Sequence, residues 1–121
     1  MKNTINWFEI PATNFDRAVK FYSTVFAVEL HTEFVMGVQS GIFPNDDQNA
    51  VNGAIVFGEH YAPSSTGSVV YLNADHQLDA IVSRIEAAGG KILLPATDIG
   101  FGFIAHFLDT EGNRVGLHSE N

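Results

Sequence analysis

The sequence predicts an α+β domain made of two βαβββ modules. Three observations carry this expectation. The same order of elements occurs twice, with a period of roughly 62 residues. Each copy holds one helical stripe of apolar residues. Clusters of Gly, Pro, Asn and Asp separate the remaining short runs of branched and aromatic residues. The letters of the two copies agree little; the order of elements is what repeats. One helix can cover one face of such a module and leaves the other open, so two modules can close their open faces around a shared small-ligand cavity.

The elements follow in order. Ile5 to Ile10 is rich in branched and aromatic residues and reads as a strand, ended by Pro11, which has no N–H to donate. Asn14 is placed to cap a helix whose stripe is Phe15, Ala18, Val19, Tyr22 and Phe26. Glu29–Val35 and Val38–Phe43 read as strands about a turn at Met36-Gly37. After the turn cluster Pro44–Asp47 comes a strand over Val51–Gly58. His60–Gly67 is small and polar and reads as a linker, dividing a single domain over 1–121 into modules of about 3–59 and 68–119.

The second module opens with a strand over Ser68–Ala74, with Asp75 as candidate cap. A helix follows on the stripe Leu78, Ile81, Val82, Ile85 and Ala88, stopped by Gly89-Gly90. Ile92–Leu94 reads as a short strand ended by Pro95, and Ala96–Gly102 as a loop. Phe103–Leu108 and Arg114–His118 are strands joined by the turn formers Asp109–Asn113.

Composition bounds the function. The chain has 121 residues, 45% hydrophobic and 17% charged, with no cysteine. Disulfides, thiolate metal sites and a cysteine nucleophile are excluded. The net charge of −8, with only six Lys plus Arg, disfavours nucleic acid and anionic membranes as partners and allows a neutral or cationic small molecule. The same charge also serves solubility. No run approaches the roughly 18 apolar residues of a membrane span, and the N-terminal stretch lacks the apolar run of a leader. A cytoplasmic protein is the expectation.

The motifs NFDRAVKFYSTVF after the first strand and FLDTEGNRVGLH at the end resemble the vicinal oxygen chelate superfamily, the glyoxalase, bleomycin-resistance and dioxygenase-like proteins. The resemblance covers essentially the whole chain. It implies paired βαβββ modules forming a cupped mixed sheet, usually in a homodimer. In catalytic members it implies a divalent metal held by His, Gln or Glu on the first and last strand of each module. Carried over, those positions fall on Trp7, near Ala54 or Ile55, on Val69 and on Gly116. None of these side chains can hold a metal. No metal ligand is therefore assigned and no cofactor is expected, with a displaced divalent metal as the alternative.

Strand alternation then names the cup residues. If Trp7 faces the cup, so do Ile5 and Glu9, with Phe8 and Ile10 in the core. If Val69 and Gly116 face it, so do Tyr71, Asn73, Arg114 and His118, with Val115 and Leu117 in the core. Trp7, Tyr71, Asn73, Phe101 and Arg114 are the candidate ligand-binding residues, Phe101 beside a Gly-rich loop able to fold over the cup. Trp7 and the Phe101 loop also have a plain core-packing reading. Glu9 and His118 each stand two places beyond a carried-over ligand position. They are the candidate catalytic pair, a general base with an acid or orienting partner. A shifted metal site with His106 and a rim hydrogen bond without chemistry are the other readings. His106 itself faces either way.

Three function classes follow: a metal-independent small-molecule-binding protein, suited to a flat, aromatic or cationic ligand; a glyoxalase-related lyase or isomerase using Glu9 and His118; and an interaction module whose cup is filled by its own side chains. The run Gly100–Ala105 matches a dinucleotide-binding pattern but enters a strand, which leaves no helix N-terminus for a phosphate.

Overall fold

The structure, a computed structural model, describes residues 3–121; Met1 and Lys2, part of the N-terminal stretch read above, lie outside it. The first module contains β1 (Trp7–Pro11), α1 (Phe15–Phe26), β2 (His31–Val35), β3 (Val38–Ile42) and β4 (Asn52–Phe57). The second contains β5 (Tyr71–Asn73), α2 (Leu78–Ile85), β6 (Lys91–Asp98), β7 (Phe103–Leu108) and β8 (Arg114–Ser119). Each module forms a four-stranded mixed sheet, ordered β1-β4-β3-β2 and β5-β8-β7-β6. The expected α+β fold of two βαβββ modules is present. The first strand of each module pairs in parallel with its last strand, and the other pairings are antiparallel.

Asn14 caps α1, its side chain accepting from Arg17 N–H at 3.1 Å. Ala27 ends the helix in the left-handed region. The buried face is Ala18, Phe21, Tyr22 and Val25, rotated from the stripe read in the sequence. The reason is that α1 packs against both its own sheet and α2, so Phe21 and Val25 are covered as well, and Phe21 meets Phe107 of β7. One hydrophobic cluster runs through both modules, from Ile10 and Ile55 to Phe107, Val115 and Leu117.

Four local expectations differ from the structure. β1 begins at Trp7 and includes Pro11, whose missing N–H is harmless on the edge of a sheet. β5 is only Tyr71–Asn73; the segment before it runs beside β8 as irregular chain, tied to it where the Ser64 and Val70 carbonyls accept from Arg114 and Gly116 N–H. Asp75 does not cap α2. Asp75 and His76 take positive φ, and the cap position is Gln77, without a side-chain bond. β6 continues through Pro95 to Asp98, since it is an edge strand and the register shifts on both sides of Leu94 absorb the proline.

The turn after β7 ties the modules together. Asp109 Oδ1 accepts from Glu111 N–H and Asn113 N–H, both within the turn. Its Oδ2 accepts from the buried Tyr22 hydroxyl of α1 at 2.7 Å. Asn113 Nδ2 donates to the Pro11 carbonyl at 2.7 Å. Glu111 reaches the start of α1, accepting from Thr13 N–H, Asn14 N–H and the Arg17 guanidinium, whose Nε lies 2.7 Å away. Burial alone would raise the Glu111 pKa. The hydrogen bonds from Arg17, Asn14, Thr110 and Thr13 outweigh it and bring the pKa down to about 2.

The folded chain thus keeps this carboxylate ionised where an unfolded chain takes up a proton. Its contribution to stability is complete above the ordinary carboxylate pKa and is lost as pH falls toward about 2. Glu111→Gln is expected to cost roughly 2 kcal/mol at neutral pH, by the worth of charged hydrogen bonds. Urea unfolding from pH 7 down to pH 2 checks this. The wild-type advantage over the variant should shrink across the acid range; a constant difference would place the stabilisation elsewhere.

Candidate functional site

The register pairs sort the strands by face. Trp7 and Glu9 stand beside Asn52 and Ala54 on the open face of the first sheet. Tyr71 and Asn73 stand beside Gly116 and His118 on the open face of the second. Ile10, Leu72, Val115 and Leu117 are buried on the opposite faces. Trp7 is 46% exposed and Tyr71 48%, so neither fills the core of this chain.

Glu9 is held from two sides. Trp7 Nε1 donates to its Oε2 at 3.3 Å, and the Tyr61 hydroxyl donates to its Oε1 at 2.9 Å. The hydrogen bond to Glu9, with its charge, raises the Tyr61 pKa, so the phenol stays protonated and stays a donor.

A second polar cluster sits on the other sheet. His106 Nδ1 lies 3.0 Å from Arg114 Nε, and His106 Nε2 lies 2.6 Å from the Tyr71 hydroxyl. Arginine has only hydrogens to give, so Nδ1 accepts, the imidazole is neutral and its proton is on Nε2. The Tyr71 oxygen therefore accepts, and its own proton is free to point elsewhere. Burial, followed by the Arg114 charge, lowers the His106 pKa and keeps the ring neutral.

Tyr71 reaches His106 by lying across Gly116. A Cβ at 116 would stand 2.5 Å from the Tyr71 ring, closer than side-chain atoms approach. Only glycine permits this crossing.

The candidate residues divide accordingly. Glu9 and Arg114 line a common cavity of about 190 Å³ at the seam between the modules, with Pro11, Ala62, Ser64 and Thr66 among its walls. Tyr71 joins Arg114 through His106. Asn73 and His118 are register partners farther along the same face, and the Asn73 side chain accepts from Asp75 N–H. No hydrogen bond joins Glu9 to His118 among the described residues, and His118 is not on the seam cavity. Phe101, 80% exposed, sits in the turn between β6 and β7. His106, read in the sequence as facing either way, faces the open side opposite Gly116. Its direction was available from counting, since five turn residues after Leu108 pair 108 with 114 and hence 106 with 116. Tyr61 carried no such signal, because no periodicity governs a linker.

The carried-over metal positions do not fit a metal. Trp7 and Ala54 offer no lone pair, Val69 precedes β5, and the space above Gly116 is filled by the Tyr71 ring. Among the described residues no three His, Asp or Glu side chains converge on one point.

A family model described as the Glyoxalase/Bleomycin resistance protein/Dioxygenase superfamily matches residues 4–117. The chain belongs to this superfamily. Among its solved members, a glyoxalase/bleomycin resistance protein from Albidiferax ferrireducens superposes with a TM-score of 0.76 at 15% identity, covering 98% of this chain and 100% of that one. The fosfomycin resistance protein FosX from Listeria monocytogenes superposes at 0.67 with 16% identity, covering 100% and 94%. At such identities the likeness is one of fold. CFP32 of Mycobacterium tuberculosis, provisionally named a glyoxylase, is 29% identical over 129 residues, covering 99% of this chain and 47% of its own length. The chain thus spans about half the length of the curated relatives it matches. Among the described residues no helix is long and apolar enough to cross a membrane.

Gly116→Ala is expected to push Tyr71 off its bed, break the bond to His106 and cost about 1–3 kcal/mol, as overpacking does. Thermal unfolding reads the cost. Nitrogen-15 spectra of the wild type should show His106 protonated on Nε2 at neutral pH, and that signature should change in the variant. A Gly116→Ala protein with wild-type stability and an unaltered His106 spectrum would refute the packing described.

Proposed function

We propose that the protein binds a small molecule between its modules and does so without the metal site of catalytic superfamily members. The observation that carries the reading is the seam cavity, walled by Glu9 from one module and Arg114 from the other. Of two half-exposed rings, Trp7 hydrogen-bonds Glu9 directly and Tyr71 reaches Arg114 through His106. Aromatic surface beside a few oriented polar groups is the usual make-up of a small-ligand site. In this reading Trp7 is the platform for a flat or apolar ligand body. Glu9 and Arg114 orient the ligand, Tyr71 and Asn73 supply polar contacts on the same face, and Phe101 borders the entrance. No cofactor takes part. The protein acts as a cytoplasmic homodimer; the greater length of CFP32, which leaves room for a second unit of this size, supports pairing.

The name of CFP32 favours a second reading, a glyoxalase-related lyase or isomerase. There Glu9, oriented by Trp7 and Tyr61, is the base that takes a proton from the substrate, and His118 is an acid on the opposite sheet. This asks the ligand to span the two sheets, since no bond links the pair in the free protein.

Trp7 is the chain's one tryptophan, so its emission tests the site directly. Titration with a panel of aromatic, cationic and dicarbonyl compounds should quench or shift it saturably. Glu9→Ala should weaken binding by about tenfold, the loss of one charged contact. Turnover of a panel compound, abolished in both Glu9→Ala and His118→Ala, would select the enzyme. Emission unmoved by every compound would leave the filled-cup interaction module standing. Stoichiometric Zn(II) or Ni(II) in the purified protein would overturn the metal-independent reading.

A further inference from the structure

We propose that the seam cavity is a site for a small zwitterion, with Glu9 receiving a ligand ammonium and Arg114 a ligand carboxylate. This rests on the reading that the cavity is the ligand site, and it names the class of ligand.

Glu9 and Arg114 both line one small cavity and are not paired with each other. The ion pairs among the described residues are Arg17–Glu111 and His31–Glu33. A surface pair of opposite charges gains little by closing on itself, so the two stay apart where each has partners of its own. Here each is held back by its own neighbours. The Glu9 oxygens are engaged by Trp7 and Tyr61, and Arg114 Nε is engaged by His106, which Tyr71 fixes in turn. The result is a separated pair of charges, oriented before any ligand arrives.

Each charge keeps unused capacity. A carboxylate has about four lone-pair sites, of which two are taken on Glu9. Arg114 binds His106 through Nε, which leaves its terminal nitrogens for a carboxylate. The remaining walls, among them Ala62, Ser64, Thr66, Ser68 and Val70, bring no third charge. Placing a cation here is notable in a chain with six Lys plus Arg. Arg17 is occupied by Glu111, and Arg84 Nε donates to the Val25 carbonyl at the end of α1.

The two charges also select against half-matched ligands. A monocarboxylate of the same shape would bring like charge toward Glu9, and a simple amine would leave Arg114 uncompensated. A free amino acid, or another small amine-bearing carboxylic acid, satisfies both. His106 is a positioning residue in this scheme. It steers Arg114 without adding a positive charge, because the bond it accepts keeps it neutral.

The test uses matched probes on the full chain, read by Trp7 emission and by calorimetry. Phenylalanine and leucine are each compared with the amine lacking the carboxylate (phenethylamine, isoamylamine) and the acid lacking the amine (3-phenylpropanoate, 4-methylpentanoate). The amino acid should bind at least about tenfold more tightly than either relative. Glu9→Gln and Arg114→Gln should each erase that preference. His106→Asn should weaken the amino acid and the acid but leave the amine unchanged, a split that general destabilisation would not produce. If a variant fails to fold, the three-way comparison on wild type still decides. An amine or acid that binds as tightly as its amino acid overturns the zwitterion class and leaves the cavity as a ligand site. Amino acids that do not bind also overturn it, and the cavity reading falls with it only if the wider panel leaves Trp7 unmoved.

Discussion

The turn Asp109–Asn113 is where the two modules of this chain are made into one object. Asp109 and Asn113 are each only 5% exposed, and their polar atoms are engaged. A buried polar cluster of this kind stabilises only when every member is satisfied, and it fixes geometry because few arrangements satisfy all of them. The turn grips α1 through Tyr22 and Glu111 and grips the end of β1 through Pro11. It therefore sets where β8 begins. Arg114, the first residue of β8, inherits its position from that anchor, and so does the width of the seam between Arg114 and Glu9.

Much of this was legible in the residues. The βαβββ order, the Asn14 cap, the β7–β8 hairpin and the open-face placement of Trp7, Glu9, Tyr71, Arg114 and His118 all follow from alternation and turn chemistry, which are local. The β6 extension through Pro95 was hidden because tolerance of proline depends on a strand being at an edge, a fact of topology. Side-chain partnerships were the least legible. Counting along the β7–β8 hairpin places His106 and Arg114 on one face, but their bond, like that of Glu9 to Tyr61 in the linker, depends on the reach and rotamer of side chains.

The two open faces differ in kind although the modules repeat. On the first, an acid is held by an indole and a phenol. On the second, a base pair of arginine and imidazole is held by a phenol. In both, an aromatic ring's polar atoms orient a charge that would otherwise be free to swing: the Trp7 N–H and Tyr61 hydroxyl donate to Glu9, and the His106 ring nitrogen accepts from Arg114. A duplicated scaffold thus presents opposite charges on related surfaces, and the space between them carries an electric field with a direction.

The contact between Tyr71 and Gly116 makes two positions mutually exclusive. A longer side chain at 116 and a ring at 71 claim the same volume. Changing Gly116 first creates a collision; shortening Tyr71 first meets no clash, because the ring is half exposed, and takes from His106 its hydroxyl partner. A longer residue at 116 is therefore sterically consistent only once position 71 has been shortened. The effects of the two substitutions are bound to be non-additive. Installing a coordinating side chain at 116 is thus a matter of sequence order as well as chemistry: the change at 71 has to come first.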